Sequence, residues 1–140
     1  MSFHFLDHTG DVGFTAEAPT LAELIVEAIA AFTAIVTEPE KLGDDEVRKL
    51  TVTAESPDLL LHGVLEELLY RFEVGGFLPR SARVVAEQRG SEWHAEIEAA
   101  GERRDATRHP IKVLVKAITY HALSVEQVDG LWRAKVIFDI

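Results

Sequence analysis

The sequence contains no cysteine. A chain without cysteine has no disulfide framework, no thiol nucleophile and no thiolate metal site. Any metal ion that it binds must therefore be held by oxygen or imidazole ligands.

Long apolar runs are also lacking. No stretch approaches the roughly 20 uncharged apolar residues that a membrane-spanning helix needs. The N-terminal residues, Met1 to Asp7, lack the basic and apolar regions of a signal peptide. We therefore expect a cytoplasmic protein with no membrane partner.

Basic residues are scarce, since 14 lysines and arginines stand against 24 aspartates and glutamates, for a net charge of −10. Nucleic-acid binding needs Lys and Arg side chains clustered against phosphates, and here they are scattered along the sequence. We therefore expect no direct tight binding to nucleic acid. A metal ion or a basic protein partner suits this charge better.

Two helices are predicted by their start signals. Thr20 and Glu23 form a capping box, and Ser56 followed by Pro57 is a typical helix start. The first helix is expected to end at Glu38–Pro39 and the second at Gly75–Gly76.

Alternating apolar and polar residues, or runs of β-forming residues, predict strands over most of the remaining chain. The predicted strands cover residues 3–8, 12–18, 47–54, 80–88, 92–99, 111–123 and 131–140. No repeat or linker interrupts them, and 47% apolar content supports one core. The prediction is a single α+β domain over residues 1–140, with two helices packed on a largely antiparallel sheet.

The last predicted strand ends in two acidic groups, the Asp139 side chain and the terminal carboxylate of Ile140. A strand held in a sheet keeps both groups at a fixed separation, which is half of a site for a hard cation. The plainer interpretation is a strand that ends in water with its acid solvated.

Two further segments carry polar side chains suited to chemistry. Asp7 to Asp11 holds two acids and His8 beside a glycine, as in a cation-binding loop or an ordinary turn. In the segment from Lys116 to His121, a regular strand would put Lys116 and His121 on opposite faces. Both can serve one site only at a bulge or a strand end, and His121 is equally compatible with a structural role.

Taken together, these segments resemble the archease family, in the family's order and over essentially the whole chain. In the opening motif the family usually has alanine where this chain has Gly10, a change that removes no ligand. The segments that carry the resemblance are residues 7–13, 65–70, 101–102, 108–109, 116–121 and 138–140.

The resemblance implies an accessory protein of RtcB, an RNA ligase of tRNA splicing and RNA repair, and not an enzyme. Such proteins promote transfer of GMP from GTP to the ligase's own histidine, and they support multiple turnover. The family's metal site corresponds here to Asp11, Asp139 and the carboxylate of Ile140. This all-oxygen set favours calcium, magnesium or manganese.

Supporting roles in this family-like site are predicted for five residues. Asp7 and His8 are candidates to support the metal ligands, and Lys116 to approach a phosphate or pair with the acids. Thr119 and His121 are candidates to orient the acidic tip, the name used here for Asp11, Asp139 and the carboxylate of Ile140.

Two other functions stay open. One is a metal-dependent hydrolase in which Asp11, Asp139 and His121 activate water, which requires a concave pocket and an open coordination position. The other is a chaperone-like module that stabilises RNA-modifying enzymes.

Overall fold

This computed structural model describes residues 1–8 and 11–140 of the chain. The elements in these residues are β1 Ser2–His8, β2 Asp11–Ala18, α1 Leu21–Val36, β3 Glu46–Ala54, α2 Pro57–Gly75, β4 Phe77–Arg89, β5 Glu92–Arg103, β6 Ala117–Ile118, β7 Ser124–Val128 and β8 Leu131–Asp139. Within the described ranges, neither helix has the length and apolar character needed to cross a membrane.

Both helices begin at the predicted caps. The Thr20 hydroxyl accepts a hydrogen bond from the backbone N–H of Glu23 at 3.1 Å. The Ser56 hydroxyl accepts one from the N–H of Leu59 at 3.4 Å, and Gly76 closes α2 in the left-handed conformation at φ 74°. The two predicted helices are confirmed.

The strands form two antiparallel sheets. One has the order β1-β2-β8-β6, with β7 also paired to β8, and the other has the order β3-β5-β4. Both helices pack on these sheets around one buried apolar cluster. The predicted class, two helices on antiparallel strands, is confirmed, although the strands divide between two sheets.

Aromatic side chains join the layers of the core. Phe138 on β8 contacts Phe14 on β2 and Phe32 on α1 in edge-to-face pairs, with ring centroids 5.8 Å and 6.1 Å apart. Trp93 and Trp132 meet at 6.1 Å and so link the two sheets. The last strand is therefore central to the core.

The strand predicted over residues 111–123 is wrong for most of its length, because only Ala117–Ile118 is a strand there. The backbone N–H of Lys112 instead donates to the carbonyl of Val36 at the end of α1, at 2.8 Å. A turn with Ala122 at φ 54° then precedes β7, which was not predicted as a separate strand. Five apolar residues of this segment pack against the core without forming a continuous ladder: Ile111, Val113, Val115, Ile118 and Leu123.

A buried histidine fixes the connection between β5 and β6. Nδ1 of His109 accepts the backbone N–H of Asp105 at 2.8 Å, so the ring proton must lie on Nε2. That N–H points at Oε1 of Glu102, 2.8 Å away, and at the Lys41 carbonyl, 3.0 Å away. Glu102 also accepts the N–H of Gly43 at 2.8 Å. Three chain segments thus meet at one imidazole.

The pairing of β2 with β8 requires glycine at position 13. A Cβ there would lie 2.2 Å from the Val136 carbonyl oxygen, and backbone cannot yield as a flexible side chain can. We expect Gly13→Ala to lower the free energy of unfolding by about 1–3 kcal/mol or more, measured by urea denaturation. Gly75→Ala is the control, because a Cβ there meets nothing within 4 Å. Equal stability of the two variants would show that β2 and β8 can separate enough to accept a side chain at position 13.

Acid should weaken the connection around His109. The two hydrogen bonds from Thr107, with that from Arg108, lower the pKa of Asp105 from 3.8 to about 2, and the Gly43 N–H and Arg108 lower the pKa of Glu102 from 4.5. Since these pKa values are lower in the folded chain, the stabilisation is complete above the unfolded values and is lost as pH falls toward about 2.

Asp105→Asn should therefore be less stable than the wild type near neutral pH, and the difference should shrink between about pH 4 and pH 2. Urea midpoints measured across this range test the expectation. Asp44→Asn makes the same charge change in an exposed loop and serves as the control. A stability difference that stays constant with pH would show that the Asp105 charge is not responsible.

Candidate metal-binding site

The pairing of β2 with β8 brings two aspartates together. Asp11 is the residue directly opposite Asp139 in the antiparallel register. Directly opposite residues share one face of a sheet, and the next pair along, Val12 with Phe138, has Phe138 fully buried in the core. The two carboxylates therefore project from the face away from that core.

These carboxylates differ in their surroundings. Asp139 is exposed, whereas Oδ1 of Asp11 is buried and has no hydrogen-bond partner among the described residues. Opposed residues in a ladder have Cβ atoms about 4.5–5.5 Å apart, so two negative charges there destabilise the pairing. A buried carboxylate oxygen without a donor adds to that cost. A cation would relieve both effects.

Neighbouring backbone groups hold the end of β8 on its other side. Ala117 is paired with Asp139, and the N–H of Lys116 donates to the Asp139 carbonyl at 2.8 Å. The Thr119 backbone N–H and hydroxyl both donate to the Ile137 carbonyl, at 3.0 Å and 2.9 Å. Asp139 is thus fixed between β2 and β6.

Ile140 follows Asp139 directly, at the end of β8. Its side chain is half-buried and lines an apolar hollow of about 360 Å³ between β1, β2 and α1. The other lining residues are Phe5, Leu6, Val12, Ala34, Ile35, Lys112 and Val113. This packing restrains Ile140 next to Asp139.

The other predicted residues divide into three groups. Lys116 and Thr119 flank β8 through the hydrogen bonds given above, but within the described residues no ion pair joins the Lys116 ammonium to Asp11 or Asp139. His121 is exposed in the turn after β6. The side chains of Asp7 and His8, like Thr9 and Gly10, lie outside the described residues.

Sequence reasoning missed the contact that anchors β6 to α2. His62 is 4% exposed, and its Nε2 donates to the Ile118 carbonyl at 2.8 Å. The Tyr120 ring stacks on the imidazole with centroids 4.0 Å apart and 12° between the planes. The signal in the sequence was a histidine within the apolar stripe of α2, beside Leu61 and Leu65.

The ligand set that the acid pair offers is made of oxygen alone. Among the described residues, no group of three or more His, Asp or Glu side chains is arranged to hold a metal. The ligand set of Asp11, Asp139 and a main-chain carboxylate at Ile140 stays a prediction. Oδ1 of Asp11, which has no partner in the part of the chain that the structure describes, fits such a site, and oxygen donors favour hard cations.

Comparison with known proteins identifies the family. The sequence matches the archease protein family over residues 3–140. This chain belongs to the archease family. Protein archease of Methanopyrus kandleri is 35% identical over 142 residues, covering 100% of both chains.

Solved archease-like structures share the fold. The solution structure of Methanobacterium thermoautotrophicum protein 1598 matches with a TM-score of 0.85 at 28% identity, covering 99% of this chain and 98% of that one. A Thermotoga maritima archease, described as a possible chaperone, matches with a TM-score of 0.53 at 19% identity over 96% and 94% of the two chains. At that identity the second match supports the fold alone.

The acid pair predicts opposite responses of stability to charge removal and to metal. Without metal, Asp139→Asn should be at least as stable as the wild type, because it removes the repulsion across the β2–β8 pair. Calcium, magnesium or manganese at about 100 times its dissociation constant should stabilise the wild type by about 2.7 kcal/mol and the variant much less. Thermal unfolding with chelator or added metal measures both effects.

Asp44→Asn is the control for this comparison, since it changes the same charge in an exposed loop away from β2 and β8. It should respond to metal as the wild type does. Equal metal stabilisation of the wild type and Asp139→Asn would exclude Asp139 as a ligand.

Proposed function

We propose that this chain is an accessory activator of the RNA ligase RtcB in the cytoplasm, acting in tRNA splicing and RNA repair. It promotes guanylylation of the ligase histidine and repeated turnover, and it is not itself a ligase. The observation that supports this proposal most directly is the pairing of Asp11 with Asp139 at the C-terminal end of β8, in a chain of the archease family.

In the proposed site, Asp11, Asp139 and the Ile140 carboxylate hold a divalent cation, either calcium, magnesium or manganese. When bound, this cation supplies positive charge close to a triphosphate. The Asp11 side chain is restrained by its partly buried position on β2. Asp139 is restrained by the hydrogen bonds and pairings on both sides of β8. A preorganised tip of this kind loses little conformational entropy on docking.

Activation then follows from positioning. The tip enters the nucleotide cleft of the ligase, and the carboxylates orient groups around the triphosphate for attack by the ligase histidine. Correct orientation alone lowers the barrier of such a transfer by several kcal/mol, about 7–11 in the best intramolecular cases. Lys116 is adjacent in sequence to Ala117, which is paired with Asp139. Its side-chain ammonium contacts the phosphates.

The overall charge of the chain suits this partner. A cleft that holds RNA and GTP is positively charged, and the net charge of −10 on this protein gives it a complementary field. Complementary fields increase the rate of encounter and fix the docking orientation more than they increase affinity. Binding should therefore weaken as ionic strength rises.

The test is guanylylation of purified RtcB with labelled GTP and a divalent metal, in the presence of substoichiometric amounts of this protein. We expect wild type to stimulate the reaction and to act many times per molecule. Asp139→Ala and a form lacking Ile140 should each lose at least about tenfold of the stimulation, in line with loss of positioning.

Asp44→Ala removes the same charge from an exposed loop and should stimulate as the wild type does. A wild type that does nothing for a competent ligase would refute the accessory role for that partner. If all variants stimulate equally, the metal-tip mechanism is wrong. Protection of an RNA-modifying enzyme against aggregation by the wild type and both tip variants alike would instead favour the chaperone-like function.

A further inference from the structure

We propose that an arginine-rich surface at the C-terminal end of α2 binds the phosphate backbone of single-stranded RNA. This surface, called here the arginine surface, comprises Arg48, Arg71, Arg103, Arg104 and the exposed ring of Tyr70. The site goes beyond the proposed activation of the ligase, although the choice of RNA as its ligand rests partly on that function.

The arginine surface is built from elements distant in sequence. Arg48 lies on β3, Arg71 on α2, Arg103 at the end of β5 and Arg104 directly after it. They line two open hollows of about 590 Å³ and 280 Å³ that share Val74, Gly75 and Arg103. The basic residues that are scattered in the sequence are therefore gathered by the fold.

The guanidinium groups of Arg103 and Arg104 are weakly engaged by the protein, whereas that of Arg48 also lies over the Phe77 ring, 5.0 Å from its centroid. Arg48 and Arg71 lie 3.5 Å from Glu46 and Glu67, long distances for ion pairs. The Arg71 atom nearest Glu67 is Nε, which is buried and therefore does not face a ligand. Across the described part of the chain, no ion pair involves Arg103.

Arg104 is similarly accessible to a ligand. It is exposed, and its Nε donates only a long 3.4 Å hydrogen bond to the carbonyl of His109. It has no ion pair among the described residues. Donors held in this way can turn to an anionic ligand with little loss of internal bonding.

The local charge is opposite in sign to that of the whole chain. Four arginines and only two glutamates, Glu67 and Glu73, line the two hollows, in a protein of net charge −10. All four cations are arginine, whose planar fork of donors matches phosphate oxygens. The local excess of positive charge favours binding of an anion at this surface.

The apolar groups on the same surface favour RNA. Tyr70 is 59% exposed in the smaller hollow, and Leu114 is 65% exposed in the larger one. Val74 is 69% exposed and lines both hollows. Unpaired bases stack on aromatic rings and on guanidinium planes, which provides binding that an acidic peptide does not need. A combination of arginines with an open tyrosine ring therefore fits a single strand better than a carboxylate-rich segment.

The arginine surface lies at the end of α2 remote from the His62 anchor of β6. From His62 to Gly76 the helix rises about 21 Å, at 1.5 Å per residue. Leu114 of the larger hollow, however, lies two residues before Lys116, whose N–H donates to the Asp139 carbonyl, so this surface borders the acid pair. A ligase docked on the acid pair would therefore bring its RNA strand close to the arginine surface. Binding should be weak and sensitive to salt, because the rest of the chain repels phosphates.

The experiment measures fluorescence anisotropy of a labelled single-stranded RNA of about 12 nucleotides with the full chain, at several salt concentrations. Arg103→Gln with Arg104→Gln should lower affinity about tenfold. It should also make the slope of log K against log salt shallower by about 1.4, since each phosphate contact on a single strand contributes about 0.7. Tyr70→Ala should lower affinity about fivefold or more, and Tyr70→Phe should retain binding.

Arg83→Gln with Arg89→Gln is the matched control, because it removes two exposed arginines from β4. It should leave affinity within about twofold of wild type. Circular dichroism of each variant checks the fold. Equal losses with the control pair, or an unchanged salt slope for the Arg103 and Arg104 pair, would overturn the proposal.

Two further comparisons identify the ligand and separate this proposal from the previous one. Polyglutamate that competes as well as RNA would overturn RNA as the ligand in favour of an acidic protein segment. In the ligase assay, the Arg103 and Arg104 variant should stimulate guanylylation without RNA as well as the wild type, yet stimulate RNA joining less. If neither the wild type nor any variant stimulates guanylylation of the ligase, the accessory role is refuted, while the RNA-binding result still stands.

Discussion

The antiparallel pairing of β2 with β8 is the constraint on which the rest of the molecule depends. It buries Phe14 and Phe138 on one face, and on the other it sets Asp11 directly against Asp139. A shift of register by one residue would reverse both faces, so the core and the acid pair cannot be separated. In this register the Val136 carbonyl oxygen comes so close to Gly13 that no side chain fits there. The free energy gained by burying the aromatic core therefore offsets the repulsion between the two aspartates.

The connection after β5 holds the acid pair from its other side. His109 joins β5, the loop after α1 and the following chain, while Val36 and Asp139 accept the next backbone donors, from Lys112 and Lys116. His62 then fixes β6 from α2. Each anchor is a hydrogen bond between a buried or half-buried group and backbone, which is costly to leave unmade. These hydrogen bonds restrain the end of β8 through the chain that surrounds it.

Local signals sufficed for the helices, because caps such as Thr20 and Ser56 act within three residues. They failed over residues 111–123, where β-forming composition was real but the backbone donors found carbonyls on α1 and β8. Hydrogen-bond partners so distant in the sequence produce no periodic pattern of residues from which they could be predicted. The carboxylates of the candidate site were identifiable from the sequence, whereas their opposition required the β2–β8 register. The grouping of Arg48, Arg71, Arg103 and Arg104 depended wholly on tertiary structure.

The net charge of the chain does not show how its charged residues are distributed over the surface. The two acids concentrate at the end of β8, whereas an excess of arginine collects at the far end of α2. A protein that engages a basic cleft at one end must keep that end negative, and one that also contacts RNA must confine its cations elsewhere. Screening over about 10 Å at moderate salt limits the effect of either surface on the other. A total of −10 is thus compatible with an anion-binding surface.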